Sequence, residues 1–199
     1  MTEWTAETAE WYAARYGEHA TNQLAIDALD LTSTAHVLDV GCGTGSALRQ
    51  ASAKVTSGVL IGVDPVPRMV EIAKERLEGH PAASRIAFHV APAHALPIET
   101  STMDVVLAFD SFDHWGAHQR AGLAEVRRVL APMGRFVVVK DGDLPYPDAA
   151  KQAFLDALTA EGFEIREERK TEGPPVAFTT WILAMAGSSR PAQTPDPSP

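Results

Sequence analysis

Val37-Leu38-Asp39-Val40-Gly41-Cys42-Gly43-Thr44-Gly45 decides the fold. An apolar run carrying one acid breaks into glycine at every second position. The break feeds a helix-compatible stretch, Ser46-Ala47-Leu48-Arg49-Gln50. Glycine permits backbone angles that side chains forbid and lets a ligand approach the chain closely. A strand that turns sharply into a helix N-terminus leaves free N–H groups and a positive dipole end beside that ligand. The stretch therefore reads as a strand, a tight turn and a helix that together seat a nucleotide-type cofactor. The competing reading is a bare strand-to-helix turn.

The spacing separates two cofactor classes. Dinucleotide sites use G-x-G-x-x-G, whose third glycine lets the helix pack closely beside a pyrophosphate. Here the glycines are 41, 43 and 45, and position 46 is serine. Asp39 adds negative charge, which is unsuited to phosphates and suited to an ammonium or a sulfonium. VLDVGCGTG closely resembles motif I of the class I S-adenosylmethionine-dependent methyltransferases. The resemblance implies a three-layer, Rossmann-like α/β fold. Its seven-stranded sheet is mostly parallel and ends in an antiparallel hairpin.

The pattern of the chain agrees with an alternating α/β sheet. Residues 5–30 read as two helical segments broken at Gly17. Ala35–Val40 is the first strand, and a helix runs from Thr44 to about Ala53. Val59–Val63 is an apolar run, as in a strand buried on both faces. Pro67–Glu78 reads as a helix with proline in its first turn and Gly79 after its end. Strands follow at Ile86–Val90, Met103–Phe109 and Arg135–Lys140, with helices at His118–Leu130 and Asp148–Glu161. Phe163–Arg169 and Phe178–Ala186 have no helix between them, only Glu172-Gly173-Pro174-Pro175, and so read as a hairpin. The expected organisation is N-terminal lid helices over 1–30, a methyltransferase domain over 31–187, and a disordered Pro/Ser-rich tail over 188–199.

Composition narrows the partners. The 199 residues suffice for one well-buried domain. The net charge is −9, and no Lys/Arg cluster exceeds adjacent pairs such as Arg127-Arg128. Nucleic-acid binding relies on basic patches that release phosphate counterions, so no nucleic-acid partner is expected. No apolar run approaches the roughly 20 residues that span a bilayer, and the polar N-terminus is unlike a signal peptide. Cys42 is the single cysteine, which fits a reducing compartment. The expectation is a cytoplasmic enzyme acting on a small molecule, away from membranes.

Asp64 closes the second apolar run, 19 residues after Gly45. A strand-end carboxylate suits the vicinal hydroxyls of a ribose, and an aspartate there also caps helices well. Val63-Asp64-Pro65-Val66-Pro67-Arg68-Met69 resembles the family's V-D-x-S-x-x-M, with Pro67 in place of the serine. The resemblance implies that Asp64 binds ribose and Pro65 packs on adenine. Ala91-Pro92-Ala93-His94-Ala95-Leu96-Pro97-Ile98 resembles the family's G-D-A-x-x-L-P-F. Pro92 replaces the acid that accepts from the adenine amino group, and proline offers neither that acceptor nor a backbone donor. Adenine recognition then falls to Ala93 and His94 or to a water. The expected cofactor residues are Asp39, Gly41, Cys42, Gly43, Gly45, Asp64, Pro65, Met69, Ala93, His94 and Phe109.

The loop Phe109-Asp110-Ser111-Phe112-Asp113-His114-Trp115 follows the fourth strand, where the family faces the methyl donor. His114 is the candidate general base, since an imidazole titrates near neutrality. Asp110, Asp113 and Trp115, with Trp11, Tyr12 and Tyr16 from the N-terminal helices, are the candidate substrate and lid residues. Asp110, Asp141 and Asp143 occupy places where catechol-type relatives hold magnesium, but Gly142 breaks the Asp-Asn pair of that subgroup, and no metal is expected. Three rivals remain. A nicotinamide-dependent oxidoreductase is disfavoured by Ser46 and by the lack of a Tyr-x-x-x-Lys relay. A catalytically silent binding module is favoured by Pro92. A protein or RNA methyltransferase is the third.

Overall fold

The computed structural model describes residues 4–141, 148–172, 176–185 and 187, with side chains omitted at 148–150. The expected tail, Asp143 and part of the expected hairpin turn lie outside these residues. Two N-terminal helices, α1 (Ala6–Tyr16) and α2 (Ala20–Ala28), precede the sheet. The sheet and its crossovers follow as β1 (His36–Val40), α3 (Ser46–Ala51), β2 (Val59–Asp64), α4 (Pro67–Leu77) and β3 (Ile86–Val90). Then come β4 (Met103–Phe109), α5 (Gln119–Val129), β5 (Leu130–Asp141), α6 (Asp148–Ala160), β6 (Phe163–Thr171) and β7 (Phe178–Met185).

The strand order is β3-β2-β1-β4-β5-β7-β6. The first five strands are mutually parallel, and β7 runs antiparallel to both β5 and β6. The expected seven-stranded, mostly parallel sheet with a terminal hairpin is the observed one. Successive strand residues face opposite sides. Val37, Val105, Leu107, Val137 and Val139 pack with Ile26 of α2, Leu48 of α3 and Val70 and Ala73 of α4. Leu38, Val106, Ala108, Phe136 and Val138 pack on the other side with Leu123 and Val126 of α5 and Phe154 and Leu158 of α6. These opposed cores make the three layers.

Three local features differ from the sequence reading. The helix after the glycine turn is shorter, because Thr44 and Gly45 belong to the turn, with Gly45 left-handed at φ 75°. A 3-10 segment, Phe112–His118, precedes α5 and buries Phe112 and Trp115. β5 begins at Leu130, where it pairs with Met103 before a register shift at Met103/Val105.

The chain reverses its strand order between β1 and β4. At such a switch point the loops leaving the strand ends diverge and open a crevice. The glycine turn after β1 and the Asp110–Trp115 loop after β4 flank it.

Candidate functional site

The glycine turn is built by backbone angles. Gly41, Gly43 and Gly45 all have positive φ, at 79°, 51° and 75°. At Gly41 a Cβ would lie 2.4 Å from the Cβ of Ser111, so this glycine lets the two crevice loops meet. Ser111 Oγ donates to the Val40 carbonyl at 2.5 Å across the same contact. At Gly45 a Cβ would lie 2.5 Å from the Phe88 ring. Gly43 differs, since nothing lies within 4 Å of its missing Cβ. Its backbone faces open space.

That space consists of two cavities with a common wall. One, of about 320 Å³, is lined by Asp64, Pro65, Met69, Ala93 and His94, with Trp115 and His118 nearby. The other, of about 1000 Å³, is lined by Asp39, Cys42, Trp11, Tyr16, Lys140 and Asp141 among others. Trp4, Tyr12, Gly41, Gly43, Phe109, Asp110 and His114 line both. The fold thus brings nearly all the sequence-selected residues to one place. Gly45 lines neither cavity and packs beneath the turn. Asp113 also lies off both and pairs with Lys140.

The carboxylates are held unevenly. Asp64 Oδ2 accepts from Gly43 N at 3.0 Å, and its Oδ1 accepts from Val66 N at 2.9 Å. Asp64 therefore stabilises the glycine turn and the approach to α4, and each oxygen keeps a further lone pair toward the smaller cavity. Burial raises its carboxyl, against the pull of those two N–H donors. Asp39 is 2% exposed, and its Oδ1 has no hydrogen-bond partner. Burial, with the Asp64 charge beside it, pushes its carboxyl up to about 7. A buried carboxylate oxygen without a partner is unfavourable unless a ligand supplies a donor. Burial also drives the Cys42 thiol well up, so it stays protonated.

Around the mouth, Trp4 meets Tyr12 edge-on at 5.4 Å and the His114 ring at 6.0 Å. Tyr12 is pushed up to about 12 by burial, reinforced by Asp110 and Asp64, and remains a neutral phenol. His94 stacks on His118 at 4.1 Å between ring centroids. Asp110 Oδ1 accepts from Asp141 N at 2.8 Å. Sequence reasoning missed His19, Lys140 and His118 as wall residues. His118 follows His114 across a non-helical kink at Gly116, so its spacing carried no signal. Among the described residues no group of three ligating side chains could hold a metal. Among them also, no helix is long and apolar enough to cross a membrane.

The family model described as "Methyltransferase domain" matches residues 37–134. A ubiquinone/menaquinone biosynthesis C-methyltransferase of Geobacter sulfurreducens is 39% identical over 106 residues, covering 52% of this chain and 41% of that protein. An O-methyltransferase of Pyrenophora dematioidea is 32% identical over 139 residues, covering 66% of this chain and 51% of that protein. The chain spans about half the length of such curated relatives, from 36% to 55%. The crystal structure of a methyltransferase from Aquifex aeolicus shares the fold with a TM-score of 0.74, at 17% identity. The match covers 92% of this chain and 100% of that one. The glycine turn at the switch point, the strand-end acid and the sheet order belong together with these likenesses. Residues 37–134 are a methyltransferase domain, carried on the fold that the S-adenosylmethionine-dependent methyltransferase of Aquifex aeolicus shows.

Proposed function

We propose that this chain transfers a methyl group from S-adenosylmethionine to a small-molecule acceptor, with the cofactor lying across the common wall of the two cavities. The observation that carries this reading is the pair of unlike acids on either side of Gly43. Asp39 has an orphan oxygen suited to an ammonium, and Asp64 has spare lone pairs suited to ribose hydroxyls. Gly43 between them offers its open face to a close-lying ligand. The relatives include a C-methyltransferase and an O-methyltransferase, which supports a small acceptor.

The bound cofactor supplies an electrophilic methyl on a sulfonium. The protein's part is to position it and to exclude water, since the transition state disperses charge. Pro65 and Met69 flank the smaller cavity as apolar walls. Ala93 and His94 stand where adenine recognition is expected, with Pro92 beside them. His114, on the wall common to both cavities, takes a proton from an acceptor that needs deprotonation. Trp11, Tyr12 and Tyr16 cover the larger cavity from α1 and act as its lid.

Calorimetry with S-adenosylhomocysteine tests the reading, with NADH as the rival ligand. S-adenosylhomocysteine alone should bind. Asp64→Ala should weaken it by about 1.5–3 kcal/mol, the scale of lost hydrogen bonds to a charged group. Binding of NADH alone, or unchanged affinity in Asp64→Ala, would overturn the cofactor placement. Pro92 favours a second reading, cofactor binding without transfer. No turnover across a broad panel of hydroxyl, amine and carbon acceptors would support it.

A further inference from the structure

We propose that the stacked imidazoles of His94 and His118 read the base of the cofactor: His94 accepts a hydrogen bond from the adenine amino group, and His118 holds the His94 ring in place. This rests on the cofactor placement above and assigns the recognition that Pro92 cannot supply. His118 acts through His94 and is a positioning residue.

Asp64 sets the direction. With the ribose at its carboxylate, the attached base extends into the smaller cavity. Pro65, Met69, Ala93 and Trp115 give that cavity apolar walls suited to a flat ring. The adenine edge also carries an amino group, and a buried donor without an acceptor is unfavourable. Pro92 has no side-chain acceptor. Apart from Asp64 and the wall common to both cavities, four polar side chains remain among the described residues. Ser111 lies against Gly41 and donates to the Val40 carbonyl. The Trp115 indole is a donor only. The other two are His94 and His118.

Both rings keep their nitrogens for a ligand. His19, His36 and His80 each place Nδ1 in a hydrogen bond within the protein. Among the described residues neither the His94 nor the His118 ring has one. They contact each other, 4.1 Å between centroids and 25° from parallel. A neutral imidazole offers one acceptor nitrogen. His118 stands at the N-cap of α5, where Ser, Thr, Asp or Asn would accept from the helix, yet its side chain makes no cap bond. The helix gains nothing from a histidine there. His94 adjoins Ala93 of the cavity wall and so meets the edge of a base lying against it.

One frame fixes the pair. His94 sits on the loop after β3, and that loop is fastened to α5. Glu125 accepts from Leu96 N at 2.9 Å, and Arg128 donates to the Leu96 and Ile98 carbonyls at 3.1 and 2.7 Å. Gly122 allows the close approach, since a Cβ there would lie 2.6 Å from the Trp115 ring and 3.4 Å from the Ala93 Cβ. α5 begins directly after His118. Loop and helix therefore present the two rings together, and the stack restricts the rotamers open to His94.

The test is calorimetry at pH 8, where an unperturbed imidazole is neutral. The probes are S-adenosylhomocysteine and its analogue with hydrogen in place of the 6-amino group. The parent protein should bind S-adenosylhomocysteine about threefold or more tighter than the analogue, the scale of one net hydrogen bond. His94→Phe keeps a stacked ring without an acceptor, so the preference should vanish or reverse. His118→Phe keeps the stack and should preserve the preference. His118→Ala removes the stack and should lower the preference to below about twofold. Both rings are exposed, so these substitutions leave the core intact, and thermal melts check it. No preference in the parent, an unaltered preference in His94→Phe, or equal effects of His118→Phe and His118→Ala would overturn the proposal. Failure of S-adenosylhomocysteine to bind the parent would instead overturn the cofactor placement.

Discussion

The Thr44 hydroxyl donates to the Gly17 carbonyl at 2.6 Å and so fastens the glycine turn to the junction between α1 and α2. The contact is close on every side. A Cβ at Gly17 would lie 2.4 Å from the Ala13 carbonyl oxygen, 2.5 Å from Arg76 and 2.8 Å from the Thr44 methyl. Arg76 also donates to the Ala13 carbonyl at 2.8 Å and pairs with Glu18, which Arg49 of α3 engages as well. Cofactor turn and N-terminal helices therefore behave as one mechanical unit.

Thr44→Val keeps the methyl and the volume but leaves the Gly17 carbonyl without this donor. Removing one partner of a buried hydrogen bond costs about 1–3 kcal/mol. A melting temperature lower by roughly 2–12 °C is expected for a chain of this size. S-adenosylhomocysteine affinity should fall with it, because the turn loses its brace. An unchanged melting curve would show that the contact is incidental.

Asp39→Asn separates stability from binding. The folded carboxyl sits at about 7, against an ordinary value of 3.8. The folded state thus holds this proton more tightly than the unfolded chain does. The resulting stability is present below 3.8 and is lost as pH rises through about 7. Above that range, Asp39→Asn should melt higher than the parent protein by a few degrees, roughly 2–5 °C. It should also bind S-adenosylhomocysteine more weakly. In the parent protein at mildly acidic pH, binding should release a proton, as the ligand's ammonium favours the ionised carboxylate. Calorimetry in two buffers of different protonation enthalpy reads that proton directly. A release that persists in Asp39→Asn would assign it to another group.

Gly43→Ala and Gly45→Ala should fail differently. Both require a left-handed angle, which costs a residue with a side chain about 1–2 kcal/mol. At Gly43 the added methyl enters open space, so the protein should fold and lose S-adenosylhomocysteine affinity by about tenfold or more. At Gly45 the methyl collides with the Phe88 ring in the core, so stability should fail first. Melting curves beside binding isotherms distinguish them. Equal effects on both quantities at both positions would show that Gly43 does not face the ligand.

The sheet was legible because its strands carry local signals. Val59–Val63 and Met103–Phe109 are apolar runs, and two runs without an intervening helix can only form a hairpin economically. β5 was cut short in the sequence reading because Pro132 and Gly134 look like breakers, yet Leu130 pairs with Met103 ahead of a register shift. The 3-10 segment was hidden because its inward pair, Phe112 and Trp115, is too short a pattern to fix a helix type. Around the site, residues on one motif were visible together, as with Asp64, Pro65 and Met69. His19 and Lys140 reach the larger cavity from distant elements. Only tertiary packing brings them there. Gly45 looked equivalent to Gly43 in sequence, and its role against Phe88 depends on a strand two crossovers away.

Among the described residues, none of the backbone before β1 enters the sheet. The N-terminal helices attach by side chains, through Ala9 and Ala13 of α1, Ile26 of α2, and links such as Arg68 to Glu10. The wall they contribute to the larger cavity can therefore vary without disturbing a single strand register. Substrate choice is then a trait of the cavity-facing side chains, whereas the inner faces of the same helices serve the donor seat. A lineage could vary the cavity-facing side chains of the first helices and acquire a new acceptor, while Ala13, Gly17 and Glu18 stay fixed against the donor seat.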